Sequence, residues 1–250
     1  MTWYWLCNNR CVDTLKPVTC ISTPLFLLQT LRECLAACNG VEVTTQGDSF
    51  FVVFTSIGDA VQWCMLVQRR LLSTDWPSAV YRLPACQREY NQYGELSFSG
   101  PRVRMGIHWA TAGSFACRRD AEGSLAFHGA AYIFTDALAD AGAGGQVLLS
   151  HPAWTRLQVE GCPAAGFPVV HQLGLFQLHG PFSPEWVYQV HSLLGHPMHR
   201  EFRHAGGEAL RKATQLQQGR HLFVTTPPAP CSEDQVGCWC GCRDVCCVAH

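Results

Sequence analysis

Residues 40–54 read GVEVTTQGDSFFVVF, and this stretch decides the fold. Over residues 41–46, valine and threonine side chains alternate with polar ones, which is typical of a strand with one buried face. Gly47-Asp48-Ser49 interrupts the alternation, and residues 50–54 then form an apolar run typical of a buried strand. Strand, short turn and strand predict a β-hairpin with Asp48 in its turn.

Helix signals lie on both sides of this hairpin. Before it, Thr23-Pro24 is a start signal and Asn39-Gly40 is a stop signal. After it, Ser56 and Asp59 have the spacing of a capping box, and the apolar spacing continues towards Trp76-Pro77. The sequence therefore predicts one helix on each side of the hairpin.

Alternation and composition predict the remaining elements. Residues 103–107 alternate as a strand, residues 130–142 form an alanine-rich helix, and residues 146–150 form another strand. Two short strands follow within residues 171–190. This order predicts an α+β sandwich whose helices cover one face of a mostly antiparallel sheet.

Composition bounds the domain organisation and excludes several classes of function. The chain has 250 residues, 48% apolar and 15% charged, with a net charge of -1. These values exclude a largely disordered chain and give no basic field for nucleic acid. No stretch is long and apolar enough for a membrane span, and no signal peptide opens the chain, so we expect a cytoplasmic protein. We predict an irregular segment over 1–22, a domain over 23–192 with an insertion at 77–101, and a low-order Cys-rich tail over 193–250.

The tail leaves three interpretations open. Six of the fifteen cysteines lie in the last 20 residues. The odd total, without a secretory signal, argues against a disulfide framework. The tail could hold one zinc ion, or Cys247-Val-Ala-His250 could accept a lipid and give a membrane-peripheral location. An unstructured end is the third interpretation.

Several segments in the same order resemble the catalytic domain of class III nucleotidyl cyclases, and most closely the fungal-type adenylate cyclases. The matching segments are residues 40–54, 59–77, 103–109, 144–150 and 173–190. The resemblance implies a ferredoxin-like sandwich that works as a homo- or heterodimer with active sites at the interface. It also implies conversion of ATP or GTP into a cyclic nucleotide and pyrophosphate.

The resemblance implies two Mg²⁺ or Mn²⁺ ions held by two carboxylates, one on the first strand and one in the hairpin. Asp48 matches the hairpin carboxylate, although aspartate in Gly-Asp-Ser is also ordinary turn chemistry. The first-strand carboxylate has no counterpart, because the only acidic residue before Glu33 is Asp13, which lacks the family's surrounding pattern. We therefore expect the first strand itself to be missing.

The family's other functional positions carry residues that cannot do the same chemistry. The base-reading Lys and Asp positions fall on Thr44 and Ala126. The Asn and Arg positions of the catalytic helix fall on Ile133 and Ala137. We therefore predict no catalytic residue and no nucleotide-binding residue in this chain. His108, at the end of an apolar strand, is interpreted as structural.

Two functional hypotheses follow. By lineage, the chain is an adenylate cyclase-like domain of intracellular signal transduction, whose reaction is ATP to cyclic AMP and pyrophosphate, but which is degenerate on its own. Alternatively, it is a non-catalytic pseudo-cyclase that dimerises with another cyclase domain and regulates it, or it is a truncated fragment.

Overall fold

The structure is a computed structural model, and it describes most of the chain between residues 4 and 192 together with three short segments beyond. The described residues are 4–11, 22–46, 49–111, 114–119, 125–161, 168–192, 200, 210–212 and 222–223. The helices are α1 (Ser22–Ala36), α2 (Ile57–Ser73), α3 (Ser78–Tyr81), α4 (Ala130–Ala141) and α5 (His151–Glu160).

Most of the strands belong to one large sheet. The strands are β1 (Tyr4–Cys11), β2 (Val41–Gln46), β3 (Ser49–Phe54), β4 (Glu89–Tyr90), β5 (Leu96–Phe98), β6 (Val103–Ala110), β7 (Ala116–Arg119), β8 (Leu125–His128), β9 (Val147–Ser150), β10 (Val169–Leu178), β11 (Glu185–His191), β12 (Leu210–Lys212) and β13 (Leu222–Phe223). Among the described residues the large sheet has the order β12-β10-β11-β9-β6-β1-β3-β2, with β13 also paired to β10. Among the described strands of this sheet, only the β6–β9 pair is parallel, so the prediction of a mostly antiparallel sheet is confirmed.

The first strand is present, which corrects the expectation that it is missing and that residues 1–22 are irregular throughout. β1 lies in the centre of the sheet, antiparallel to both β3 and β6. Without it, the facing edges of β3 and β6 would carry unpaired backbone groups. Tyr4 and Trp5 favour a strand, whereas Asn8 and Asn9 disfavour one. The two asparagines are the reason that the sequence did not predict this strand.

Strand β3 is buried on both faces. Phe50, Val52 and Phe54 belong to one core cluster, whereas Phe51 and Val53 belong to another. Successive side chains of a strand point to opposite faces of the sheet. Both faces must therefore be covered by other elements.

Helices cover both faces, which corrects the prediction of helices on one face only. Leu31 of α1, Trp63 of α2 and Leu157 of α5 pack in the cluster that contains Phe50. Helix α4 lies on the opposite face, where Ala131 joins the cluster of Phe51. The apolar run 50–54 already required cover on both sides, because every one of its residues is buried.

The insertion at 77–101 has structure of its own. It contains α3, a 3₁₀ turn at Pro84–Cys86 and the β4–β5 hairpin. Val80 and Cys86 are fully buried in the main core cluster. The insertion is thus anchored to the core rather than being a free polar loop, while the wider domain boundaries stay a prediction.

Helix α4 lies very close to β6 at Gly106. A Cβ atom at this position would lie 2.6 Å from the backbone nitrogen of Ala139. Because the obstacle is helix backbone, it cannot move aside like a flexible side chain. Glycine at 106 therefore sets the distance between α4 and the sheet.

We predict that Gly106→Ala lowers the free energy of unfolding by about 2–3 kcal/mol, since overpacking a close contact typically costs this much. The measurement is the urea midpoint followed by circular dichroism. Gly161→Ala is the control, because its Cβ would meet open space and only the positive φ of 75° would cost about 1 kcal/mol. Equal destabilisation by the two variants would contradict the close approach of α4.

Candidate functional site

The hairpin turn lies beside the end of β1. Strand β2 ends at Gln46 and β3 begins at Ser49, so the turn residue Asp48 lies outside the described residues. The β1–β3 register pairs Arg10 with Ser49, which brings the end of β1 next to the turn. The strand position beside the turn therefore carries arginine, not the carboxylate that the resemblance requires, and Asp13 lies outside the described residues.

The described residues do not fit a two-metal site. No group of three or more His, Cys, Asp or Glu residues within them could hold a metal ion. Glu42, on the hairpin strand β2, is already engaged by Arg32 through contacts of 2.7 and 2.8 Å. These hydrogen bonds lower the pKa of Glu42, and Thr45 donates a further one at 2.7 Å. The carboxylate of Glu42 therefore stabilises the α1–β2 contact.

Helix α4 presents an apolar side chain where the resemblance implies an amide. Ile133 is 54% exposed, and Ala137 is 9% exposed at the edge of the core. Two aromatic contacts fix the rotation of the helix. The ring centres of Tyr132 and Phe51 are 4.4 Å apart, and those of Phe134 and His108 are 4.5 Å apart. The sequence analysis missed these two aromatic residues, whose only signal is apolar spacing of the kind that marks any core helix.

The two base-reading positions lie in neighbouring elements. Thr44 is half-buried on β2, and Ala126 belongs to β8, which contacts β2. The side chain of Ala126 lies outside the described set. Thr44 offers a neutral hydroxyl in place of a lysine ammonium, and alanine offers no hydrogen-bonding group at all. The structure thus places the two positions on contacting strands, and neither residue supplies the polar group that would distinguish adenine from guanine.

His108 lies on β6, and its side chain packs against α4. Its Nδ1 atom lies 2.9 Å from Ser150 Oγ, and its ring packs on Phe134. Burial lowers the pKa of His108 to about 4. An imidazole in this setting stays uncharged at neutral pH. Its contacts support the interpretation of His108 as structural.

We predict that His108 makes the protein acid-sensitive. Because the pKa of His108 is about 4 in the folded state and 6.5 in the unfolded state, the unfolded state binds the proton first as the pH falls. The free energy of unfolding is therefore unaffected by this group above pH 6.5 and decreases between pH 6.5 and 4. The shift corresponds to about 3 kcal/mol. Urea unfolding between pH 7 and 4 should show a shallower loss of stability in His108→Leu than in the wild type.

The matched control for this experiment is His128→Asn, because His128 is exposed at the end of β8. This variant should keep the steep loss of stability between pH 7 and 4. If His108→Leu and the wild type lose stability equally over that range, the proposed acid sensitivity is wrong.

Two further predictions concern the Cys-rich tail and membrane spans. Every cysteine of the predicted zinc or lipid site lies outside the described residues, so both remain predictions. Among the described helices, none has the length and hydropathy that a bilayer crossing requires.

Similarity in sequence points to adenylate cyclases. The chain is 37% identical to an adenylate cyclase of Mycosarcoma maydis over 129 residues, which are 51% of this chain and 5% of the relative. It is 28% identical to an adenylate cyclase of Neurospora crassa over 230 residues, covering 80% of this chain and 10% of the relative. The chain thus spans a small part of these relatives. No protein-family model matches it.

Similarity in structure points to cyclase catalytic domains. Adenylate cyclases from Trypanosoma brucei in their monomeric state align with a TM-score of 0.65 and 21% identity, covering 90% of this chain and 96% of theirs. The guanylate cyclase domain of a Catenaria anguillulae protein in complex with GTP aligns with a TM-score of 0.57 and 12% identity, covering 76% of this chain and 97% of that one. The chain has the fold of the class III cyclase catalytic domain, and its sequence is similar to segments of fungal adenylate cyclases.

Proposed function

We propose that this chain is a degenerate cyclase domain that pairs with another cyclase domain in the cytoplasm and forms no cyclic AMP alone. The observation that carries the proposal is the surface of α4, where Ile133 is exposed and Ala137 is largely covered. Aromatic contacts of Tyr132 and Phe134, the two neighbours of Ile133, fix the rotation of the helix. The helix is therefore intact as a structural element but lacks the polar groups of the chemistry.

The cyclisation reaction needs polar groups that the fold itself does not need. Cyclisation of a nucleoside triphosphate builds up negative charge on phosphate oxygens, which must meet preorganised donors or cations. Isoleucine cannot donate a hydrogen bond to a ribose, and alanine cannot neutralise a phosphate. Losing one such group typically lowers the rate by about 10²–10³-fold, so losing two lowers it by roughly 10⁴-fold or more.

Asp48 is the one position of the metal-binding pair that the sequence retains. We propose it as a Mg²⁺ or Mn²⁺ ligand that needs further oxygen ligands from elsewhere. A single carboxylate holds Mg²⁺ weakly, because this ion keeps most of its waters unless several ligands converge.

A second candidate function rests on the central position of β1. The end of this strand lies beside the hairpin turn, and this arrangement of strands supports a role as the metal-binding half. In this alternative, a partner domain with intact Asn, Arg and base-reading residues supplies the nucleotide-binding half. The pair would then form cyclic AMP from ATP, whereas the first candidate only changes the partner's rate.

We predict no cyclic AMP from the full chain with ATP and Mn²⁺, and a changed rate when it is mixed with the intact catalytic domain of a fungal adenylate cyclase. The measurement is cyclic AMP against chain concentration. Asp48→Ala distinguishes the two candidates, because a purely regulatory partner keeps its effect whereas a metal-binding half loses it. Turnover by the chain alone would contradict the proposal, as would an unchanged partner rate at saturating chain.

We further predict that Ile133→Glu abolishes the effect on the partner without unfolding the chain. A carboxylate at an exposed position is tolerated in the free domain, but it would be desolvated in a face covered by a partner. Val159→Glu is the matched control, because Val159 is 72% exposed on α5, on the other face of the sheet. Size-exclusion chromatography and the rate assay should separate the two variants, and equal behaviour would exclude α4 from the pairing face.

A further inference from the structure

Arg200 is a buried cation outside the candidate site. Its side chain is 7% exposed, and Nε donates to the backbone oxygen of Ser97 at 2.8 Å. Nη1 donates to Oε1 of Gln68 at 2.6 Å, and the guanidinium lies 4.2 Å from the centre of the Phe98 ring. Every one of these partners is neutral.

A second guanidinium contacts the same aromatic ring. Arg102 lies 4.4 Å from the centre of the same Phe98 ring, and Glu89 pairs with Arg102 at 2.6 Å. Within the described part of the chain, no carboxylate forms an ion pair with Arg200. Burial, with repulsion from Arg102 as the smaller cause, lowers the pKa of Arg200 to about 9. Among the described residues, nothing therefore neutralises the positive charge of Arg200.

A small cavity lies against Arg200. It has a volume of about 20 Å³, and its lining includes Arg200, Gln68, Met65 and His191. Gly145 completes the wall with a φ of 89°, and a Cβ there would lie 2.5 Å from Cε1 of Phe98 and 3.3 Å from Nη1 of Arg200. The absence of a side chain at 145 thus keeps space open beside the guanidinium.

We infer that this cavity binds one small monovalent inorganic anion of the chloride class. The charge argument is that a buried guanidinium with only neutral partners is costly, and an anion in contact with it removes that cost. The size argument limits the occupant. A volume of about 20 Å³ is little more than one water-sized site needs, so a phosphate or a nucleotide does not fit.

The test measures stability of the full chain against chloride at constant ionic strength, with gluconate replacing chloride. One site that binds only the folded state makes the unfolding constant fall in proportion to chloride above the dissociation constant, by up to about tenfold between roughly 20 and 200 mM. Bromide should replace chloride and give an anomalous scattering peak beside Arg200 in a crystal.

Three variants make the test specific. Met65→Glu places a carboxylate in the cavity wall, so its stability in gluconate should match or exceed that of the wild type, and its chloride dependence should fall below about twofold. Arg32→Gln is the control, because Arg32 pairs with Glu42 and does not line the cavity, so this variant should leave the chloride dependence intact. Arg200→Gln should abolish it if the variant folds.

Three results would overturn the inference. The first is equal stability of the wild type in chloride and gluconate, which would mean that water fills the cavity. The second is a chloride dependence that Met65→Glu leaves unchanged. The third is a bromide peak elsewhere with none beside Arg200.

Discussion

The two-sided burial of β3 is the constraint on which the rest of the structure depends. Phe50 to Phe54 are all buried, so apolar side chains emerge from both faces of the sheet. Each face needs a layer of helices, with α1, α2 and α5 on one side and α4 on the other. The close approach at Gly106 follows from this requirement, because α4 must lie low on the sheet to cover it.

Local sequence signals predicted much of this fold, and long-range ones were missed. The alternation at 41–46 and the apolar run at 50–54 place the hairpin within a residue of where it lies, since both depend on side chains of the element itself. β1 escaped prediction because its pairing comes from β3 and β6 rather than from its own sequence, in which Asn8 and Asn9 argue against a strand.

The sequence predicted the helix that carries Ile133 and Ala137, but it did not predict the side chains that pack around this helix. Counting from Gly144-Gly145 names Ile133 and Ala137, and the structure places both on α4. The aromatic contacts that orient the helix depend on which face of the sheet it covers, and the sequence predicted the wrong arrangement of faces. Arg200 gave no signal at all, because its partners lie more than 100 residues away in the chain.

The proposed loss of cyclase chemistry is compatible with a cyclase fold, because different residues determine the two properties. The core of α4 consists of residues such as Leu138, whereas the positions that matched the family's polar groups lie at its margin or in solvent. Replacing an arginine by Ala137 at that margin removes a charge that would have needed solvation beside an apolar cluster. Replacing an amide by Ile133 costs little stability in an exposed position. Folding therefore does not oppose the proposed loss of catalysis, and the exposed isoleucine adds apolar surface of the kind that a partner domain can cover.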